Sequence, residues 1–422
     1  MSPDIYDHIV KETVRYATAS RNKPDFVFSV DEWKSLIGIL LLSSYHKLPS
    51  ERHYWAKDED LVVSIVKKAV SRNKFQGLKS VVHFCDNADA ENNNGDKGFK
   101  VRSLISKLQK SLIQHGVFEE CISVDEMMVK YYGHNSLKQF IQVKPIRFGY
   151  KRWALCGTSG YCYNFDLYCG TNPQLDKNDE IALGSKVVLK MLEANCGMTY
   201  VGTVRANKKE VPGEMKDVSS RDEGSSAFLF TDNMIQVSYV ATSSKKKKKN
   251  VLLLSSMHTL PSLGNSGKPE VIEFYNSTKG GVDALDQMCA IYSCGRSTQR
   301  WPMCIFYGMI NIGGINAWVI YSENTTASLN RRKFMQVVAK AFIKPWAQQR
   351  KAALRHPIVR SAQQRNAARH ASTAPSVTSL CVSATTIPCV LIVSQKSSRG
   401  DPPEPEECGN YRTWPRDKRR AS

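Results

Sequence analysis

Two acids set three residues apart open the chemistry of this chain. The run from Lys279 to Met288 reads Lys-Gly-Gly-Val-Asp-Ala-Leu-Asp-Gln-Met. Gly280 and Gly281 break whatever precedes them, and every residue from Val282 onward tolerates a helix, so Asp283 and Asp286 share one helical face near its N-terminus. Such a pair can hold a divalent cation, cap the helix or lie on a solvated surface. Its neighbours are cationic: Lys279 precedes it, and Gly-Arg-Ser-Thr-Gln-Arg-Trp-Pro-Met follows from Gly295 to Met303, bringing Arg296, Arg300 and Trp301. Acids that hold a metal beside cations that hold phosphate suit phosphoryl transfer on nucleic acid.

The whole chain leans the same way. Its 422 residues contain 59 Lys and Arg against 39 Asp and Glu, a formal charge of +20. An excess of that size implies a polyanionic partner. The length allows roughly two or three domains, and 42% hydrophobic residues excludes a chain too polar to build a core. No basic stretch followed by an apolar one stands near Met1, so no secretory signal is expected. The apolar run there, Leu36 to Leu42, is too short to cross a bilayer. Twelve cysteines without such a signal read as reduced thiols of cytosol or nucleus; none is spaced Cys-x-x-Cys, so no zinc site is expected.

The elements that must position these residues differ along the chain. Residues 1 to 118 read as helical, with a Ser29/Glu32 capping box opening a buried helix through Trp33, Leu36, Ile37, Leu40 and Leu41. The pattern switches at Cys121, where Cys-Ile-Ser-Val-Asp-Glu-Met-Met-Val is a buried strand carrying Asp125. Tyr150 to Thr158 and Tyr161 to Gly170 form a hairpin turning at Ser159-Gly160, and a helix follows from Leu183 to Ala194. An acid on a first strand, a hairpin and then a helix is the order in which ribonuclease-H-like domains begin. Between strand and hairpin, Lys138, Lys144, Arg147, Lys151 and Arg152 interleave with Phe140, Phe148 and Tyr150. That alternation suits a nucleic-acid surface, or a solvated loop over a few core aromatics. Ile305 to Tyr321 reads as a core helix, because Asn311, Asn316 and its glycines disfavour a membrane span.

Seven motifs in order resemble the piggyBac transposase family and its host-domesticated derivatives. They are Ser-Val-Asp125-Glu-Met-Met, Lys138-Gln-Phe with Lys144-Pro, Leu183-Gly-Ser-Lys-Val-Val, Gly202-Thr-Val-Arg-Ala-Asn, Leu253-Leu-Ser-Ser, Tyr275 through Met288, and Arg300-Trp-Pro-Met. The resemblance covers most of residues 25 to 345. It implies an α/β chain with a ribonuclease-H-like core at 119–205 and 272–345, split by a β-rich insertion at 206–271. A helical dimerisation and DNA-binding region precedes it at 1–118, and a basic, largely disordered tail follows at 346–422. It further implies a nuclear protein, a homodimer on double-stranded DNA, with neither membrane nor small-molecule substrate. The parent activity is cut-and-paste transposition through a hairpin intermediate into TTAA targets. In that family three aspartates hold two Mg²⁺ ions; the first matches Asp125, the third matches Asp283, and the extra acid beside it matches Asp286. Lys138, Lys144, Arg147, Lys151, Arg296, Arg300 and Trp301 are the expected DNA contacts.

The chain departs from the family at two places. Where an Asp-Asn-Trp/Phe-Phe-Thr-Ser strand should bring the second aspartate, the helix ending Lys190-Met-Leu-Glu-Ala-Asn runs directly into Met198-Thr-Tyr-Val-Gly. A central strand and its acid are absent. Asp232 falls in the insertion, and Glu193 lies on a helix rather than a strand end, so neither substitutes. Transposase chemistry is therefore expected to be impaired, and the edge carrying Asp125 to be exposed. An active strand-transfer enzyme with its acid from elsewhere, and a non-enzymatic protein-interaction scaffold, are the alternatives. The second departure is the tail. From Asn324 to Gly400 there is no Asp or Glu among thirteen Lys and Arg, and Cys408 looks like the opening of a cysteine-rich module that goes no further.

Overall fold

A computed structural model of the chain describes residues 2–90, 95–116, 119–142, 144–170, 187–188, 191, 198–241, 248–326, 329–355 and 390–393. The N-terminal part is helical throughout: α1 (Pro3–Arg15), α2 (Val30–Tyr45), α3 (Ser64–Ala69), α4 (Arg72–Val81) and α5 (Phe99–His115). Ser29 and Glu32 form the expected capping box, each side chain accepting the other residue's backbone N–H at 3.2 Å. Behind that cap α2 is buried on nearly every face, with Trp33 in its first turn packed against Phe306.

The pattern switch at Cys121 is a real boundary. A mixed sheet of nine strands begins there: β1 (Cys121–Lys130), β2 (Lys138–Phe140), β3 (Phe148–Gly157), β4 (Cys162–Leu167), β5 (Thr199–Thr203), β6 (Ser226–Thr231), β7 (Met234–Ala241), β8 (Lys249–Ser255) and β9 (Val390–Val393). Their order is β2-β3-β1-β9-β5-β8-β7-β6, with β4 on the far part of β3. The β3–β4 hairpin turns at Ser159-Gly160 as its sequence requires: Gly160 has φ +82°, and Glu119 accepts the Ser159 N–H and hydroxyl. The strands of the expected insertion form an antiparallel meander, and β8 pairs with β5, so they continue the central sheet rather than standing apart from it.

Four helices complete the described chain besides the short α6 (Gly213–Lys216): α7 (Glu270–Thr278), α8 (Gly281–Ile291), α9 (Trp301–Glu323) and α10 (Arg331–Arg355). Among the described residues α9 alone is long and apolar enough to cross a membrane, and 67% of its most apolar window is buried inside the fold. It is a core helix. Asn316 on it is 3% exposed and brackets one residue of β4, accepting Cys162 N–H at 2.9 Å and donating to Cys162 C=O at 2.7 Å. That buried amide is satisfied in place, as a core asparagine must be.

The structure bears on two further expectations from the sequence. The edge of β1 that leads to Asp125 is covered along Cys121–Val124, because β9 lies parallel between β1 and β5, pairing Cys121–Val124 on one side and Thr199–Gly202 on the other. Of the segment from 346 onward the described residues are the end of α10, which runs to Arg355, and β9, which lies in the middle of the sheet; the rest lies outside the described residues. The helix from Leu183 is helical at Val187, Val188 and Met191; the rest of it, with Glu193, lies outside the described residues, as does Cys408.

Candidate functional site

Asp125 sits at the middle of β1, 2% exposed, in register with Ala154 of β3. Burial pushes its carboxyl up from 3.8 to about 6, and the charges of Glu126 and Asp283 push the same way. The Lys144 ammonium, 3.9 Å from Oδ2, and the Glu126 N–H, 2.7 Å from Oδ1, act against that rise without cancelling it. Lys144 is itself 8% exposed and donates to Glu126 C=O at 2.8 Å.

Helix α8 brings the second acid. Its first residue, Gly281, lies so close to the sheet that a Cβ there would stand 2.3 Å from Gly157 C=O and 2.7 Å from Ser123 Oγ. The double glycine is thus explained by one member: only Gly281 is needed for the approach, since a Cβ on Gly280 would meet nothing within 4 Å. Two residues further on, Asp283 is exposed and within the electrostatic reach of Asp125. Asp286 lines a cavity of about 660 Å³ with Arg152, Cys289, Arg296, Tyr307 and Asn311, and its charge favours the Arg152 cation. Among the described residues no three His, Cys, Asp or Glu side chains gather as a metal-binding group. Asp232 is exposed at the β6–β7 turn, at the far end of the sheet from β1.

The expected DNA contacts divide. Arg300 donates to the carbonyls of Lys79 and Ser80 at 3.0 and 2.9 Å and to that of Val82, tying the end of α4 to the start of α9. Arg296 donates to Ser43 C=O at 2.7 Å. Lys151 pairs with Glu126 at 2.6 Å and stands over the Trp153 ring. With Lys144 on Asp125, these four hold the protein's own groups. Trp301 is half-buried, its ring 6.2 Å from that of Tyr150. Lys138 and Arg147 are left toward solvent at the β2–β3 edge, with Lys138 over the Phe148 ring at 5.7 Å and Phe140 tilted on Phe148 at 4.8 Å. Tyr132, 71% exposed, extends that patch with Lys130 over its ring.

Sequence reasoning missed Arg152 as anything but a surface cation. It is 2% exposed, and its Nε and Nη1 have no hydrogen-bond partner. The strand pattern carried a signal for this, because Arg152 alternates with Lys151 inside an otherwise apolar run, Trp153-Ala-Leu-Cys.

Comparison with known proteins places these features in a family. The family model for transposase IS4 matches residues 1–197 and 192–318. The chain belongs to the piggyBac-type transposase IS4 family. Its sequence is 28% identical to the human PiggyBac transposable element-derived protein 3 over 358 residues, which takes in 75% of this chain and 59% of that protein. Human PiggyBac transposable element-derived protein 2 is 27% identical, over 74% of this chain and 58% of its own length. The chain thus spans less than two thirds of these relatives. Among solved structures, a piggyBac transposase synaptic complex with hairpin DNA superposes with a TM-score of 0.74 at 27% identity, covering 89% of this chain and 85% of that one. The mixed helix and sheet architecture is therefore that of a piggyBac transposase.

Proposed function

We propose that this chain is a transposase-derived nuclear protein that binds double-stranded DNA as a homodimer and has lost the strand-transfer chemistry of its parent. The sheet order supports a ribonuclease-H-like core at 119–205 and 272–345, with residues 390–393 adding a strand from outside those bounds: β3 antiparallel to β1, and the parallel β9 and β5 beyond it. The helices of 1–118 and the meander within 206–271 support the helical region and the insertion. Support for DNA as partner comes from the basic excess, from the exposed aromatic and basic patch at Lys138, Phe140, Arg147 and Phe148, and from a similar protein solved with hairpin DNA.

The observation that carries the loss of chemistry is the company Asp125 keeps. In the family two Mg²⁺ ions need carboxylates from three places. Here Asp125 has Asp283 in reach and the Lys144 ammonium 3.9 Å from its Oδ2, while Asp286 lines a cavity with Arg152. These residues do not fit a two-metal site, so no catalytic step is derived through one. The family match also breaks into two pieces that meet at 192–197, where the sequence lacks its second aspartate.

Two measurements on the purified chain test this. Fluorescence anisotropy on a TTAA-containing duplex should give binding that weakens steeply with salt. Incubation of a DNA hairpin with Mg²⁺ or Mn²⁺ should leave it intact. Cleavage that disappears in Asp125→Asn would instead establish an active enzyme, a reading favoured only by the proximity of Asp283 to Asp125.

A further inference from the structure

The cavity beside Asp286 holds hydrogen-bond donors that the fold leaves unused. Residues of β1, β3, α8 and α9 line it, grading from exposed Tyr132, Gly295 and Ser297 to buried Met127, Arg152 and Tyr307. Its volume of about 660 Å³ falls within the roughly 300–1,000 Å³ of ligand pockets.

Arg152 is the first such donor. Its Nη2 reaches the Met127 sulfur at 3.6 Å, while Nε and Nη1 have no hydrogen-bond partner among the described residues. The helix makes room for it, since a Cβ on Gly308 would stand 2.8 Å from Nη1. A guanidinium remains charged even where burial lowers its pKa, and a buried charge short of hydrogen bonds is costly. Tyr307 is the second donor. It precedes Gly308 on α9, is 2% exposed, and its hydroxyl is likewise unpartnered among the described residues. Burial pushes its pKa up, so the hydroxyl keeps its proton.

The charge around these donors selects the ligand. Lys130, Arg152 and Arg296 line the cavity against one carboxylate, Asp286, an excess of two positive charges. A carboxylate ligand would bring one negative charge and two oxygens, whereas a phosphate monoester brings roughly −1.5 to −2 at neutral pH and three terminal oxygens. Met128, Val129, Tyr131 and Ile146 give the esterified group an apolar wall. We propose that this cavity binds a phosphate monoester with an apolar or aromatic body, its phosphate taken by Arg152 and the Tyr307 hydroxyl. The site is separate from the exposed basic and aromatic edge, because none of Lys138, Phe140, Arg147 and Phe148 lines it.

Isothermal titration calorimetry of the full-length chain with phenyl phosphate tests this. Phenyl phosphate should bind at one site per chain, at least about 10-fold tighter than inorganic phosphate, which lacks the body, or benzoate, which lacks the second charge. Tyr307→Phe deletes only an unpartnered oxygen, so it should keep the fold and weaken binding about 10-fold. Arg152→Met should weaken it by at least about 100-fold in protein that circular dichroism shows to be folded. Arg147→Glu should leave it unchanged, which separates this site from the DNA-binding edge. Absence of saturable binding, or equal binding by the parent, Tyr307→Phe and Arg152→Met, would overturn the proposal. A phosphate monoester reaches the site either free or as the 5′ end of a DNA strand. Displacement of phenyl phosphate by a 5′-phosphorylated duplex, and not by the same duplex with a 5′-hydroxyl, would identify a DNA end as the source. Displacement by neither would identify a free small molecule, and displacement by both alike would overturn the choice of a monoester.

Discussion

The ammonium of Lys144 stands 3.9 Å from Oδ2 of Asp125, and both groups are more than nine-tenths buried. Even so, burial outweighs the attraction and leaves the carboxyl titrating at about 6 instead of 3.8. Between those two values the folded chain binds more protons than the unfolded one, so stability falls as pH rises from about 4 to 6 and is flat above. A shift of about two units is worth roughly 3 kcal/mol at neutral pH. Asp125→Asn, which keeps the neutral form at every pH, should gain about 1–3 kcal/mol at pH 7.5 and nothing at pH 4. Lys144→Met should move the transition to higher pH. Urea melts across this range check both; an Asn variant whose stability still falls between pH 4 and 6 would assign the titration elsewhere.

That pairing also shows what the sequence could and could not convey. Lys144 stands in a run where cations alternate with aromatics, which is a nucleic-acid pattern. Yet Lys144, Lys151, Arg296 and Arg300 all hold carboxylates or carbonyls of the protein itself. Spacing reveals which residues share a strand or a helix face, and so Asp125, the Ser29 cap and the Ser159-Gly160 turn were legible. It does not reveal which partner lies across the fold. β9 is the clearest example: Cys389 to Val393 has the composition of a buried strand, but its partners lie some 190 to 270 positions earlier, and nothing local names them.

Gly281 fixes the distance between α8 and the sheet, and so the place of Asp283. Gly281→Ala would set a methyl group 2.3 Å from the Gly157 carbonyl oxygen, a backbone atom that cannot swing aside, and should cost at least about 2 kcal/mol. Gly280→Ala meets nothing and has an ordinary φ of −82°, so it should change stability by less than about 0.5 kcal/mol. Thermal denaturation of the two variants separates a packing requirement from a general need for flexible glycine; equal losses would refute the packing account.

Arg300 gathers three carbonyls at the end of α4. A cation is favoured there by the helix dipole, and a planar fork reaches several acceptors that a single ammonium cannot. Arg300→Lys and Arg300→Met should both lose about 2–4 kcal/mol, with faster amide exchange around residues 79–83. If Arg300→Lys folds as stably as the parent while weakening DNA binding, Arg300 belongs to the interface and not to the scaffold.

Arg152 stands against Gly308 of α9, with burial pushing its guanidinium pKa down and two nitrogens unpartnered. Its neighbours across the sheet are Met127 and Leu167, an apolar setting. An uncompensated buried charge is destabilising, and apolar replacements of similar volume often stabilise. Arg152→Met should therefore raise stability by about 1–4 kcal/mol. Loss of stability on this substitution would mean that the charge of Asp286, which favours the cation, outweighs its desolvation.

The β2–β3 edge makes the last prediction. Phe140 and Phe148 are 57% and 43% exposed, Lys138 stands over one ring, and Arg147 beside them is free of the core. Exposed rings next to cations stack on bases or sugars while the cations reach phosphate, so the two kinds of residue should fail differently. Arg147→Glu should weaken duplex binding and flatten its salt dependence by about one to two counterions, because it removes a phosphate contact and adds a repulsion. Phe148→Ala should weaken binding by about 1–3 kcal/mol on single-stranded or distorted ends with the salt slope unchanged. Anisotropy titrations at several salt concentrations read both quantities at once. Binding insensitive to either substitution would move the interface away from this edge.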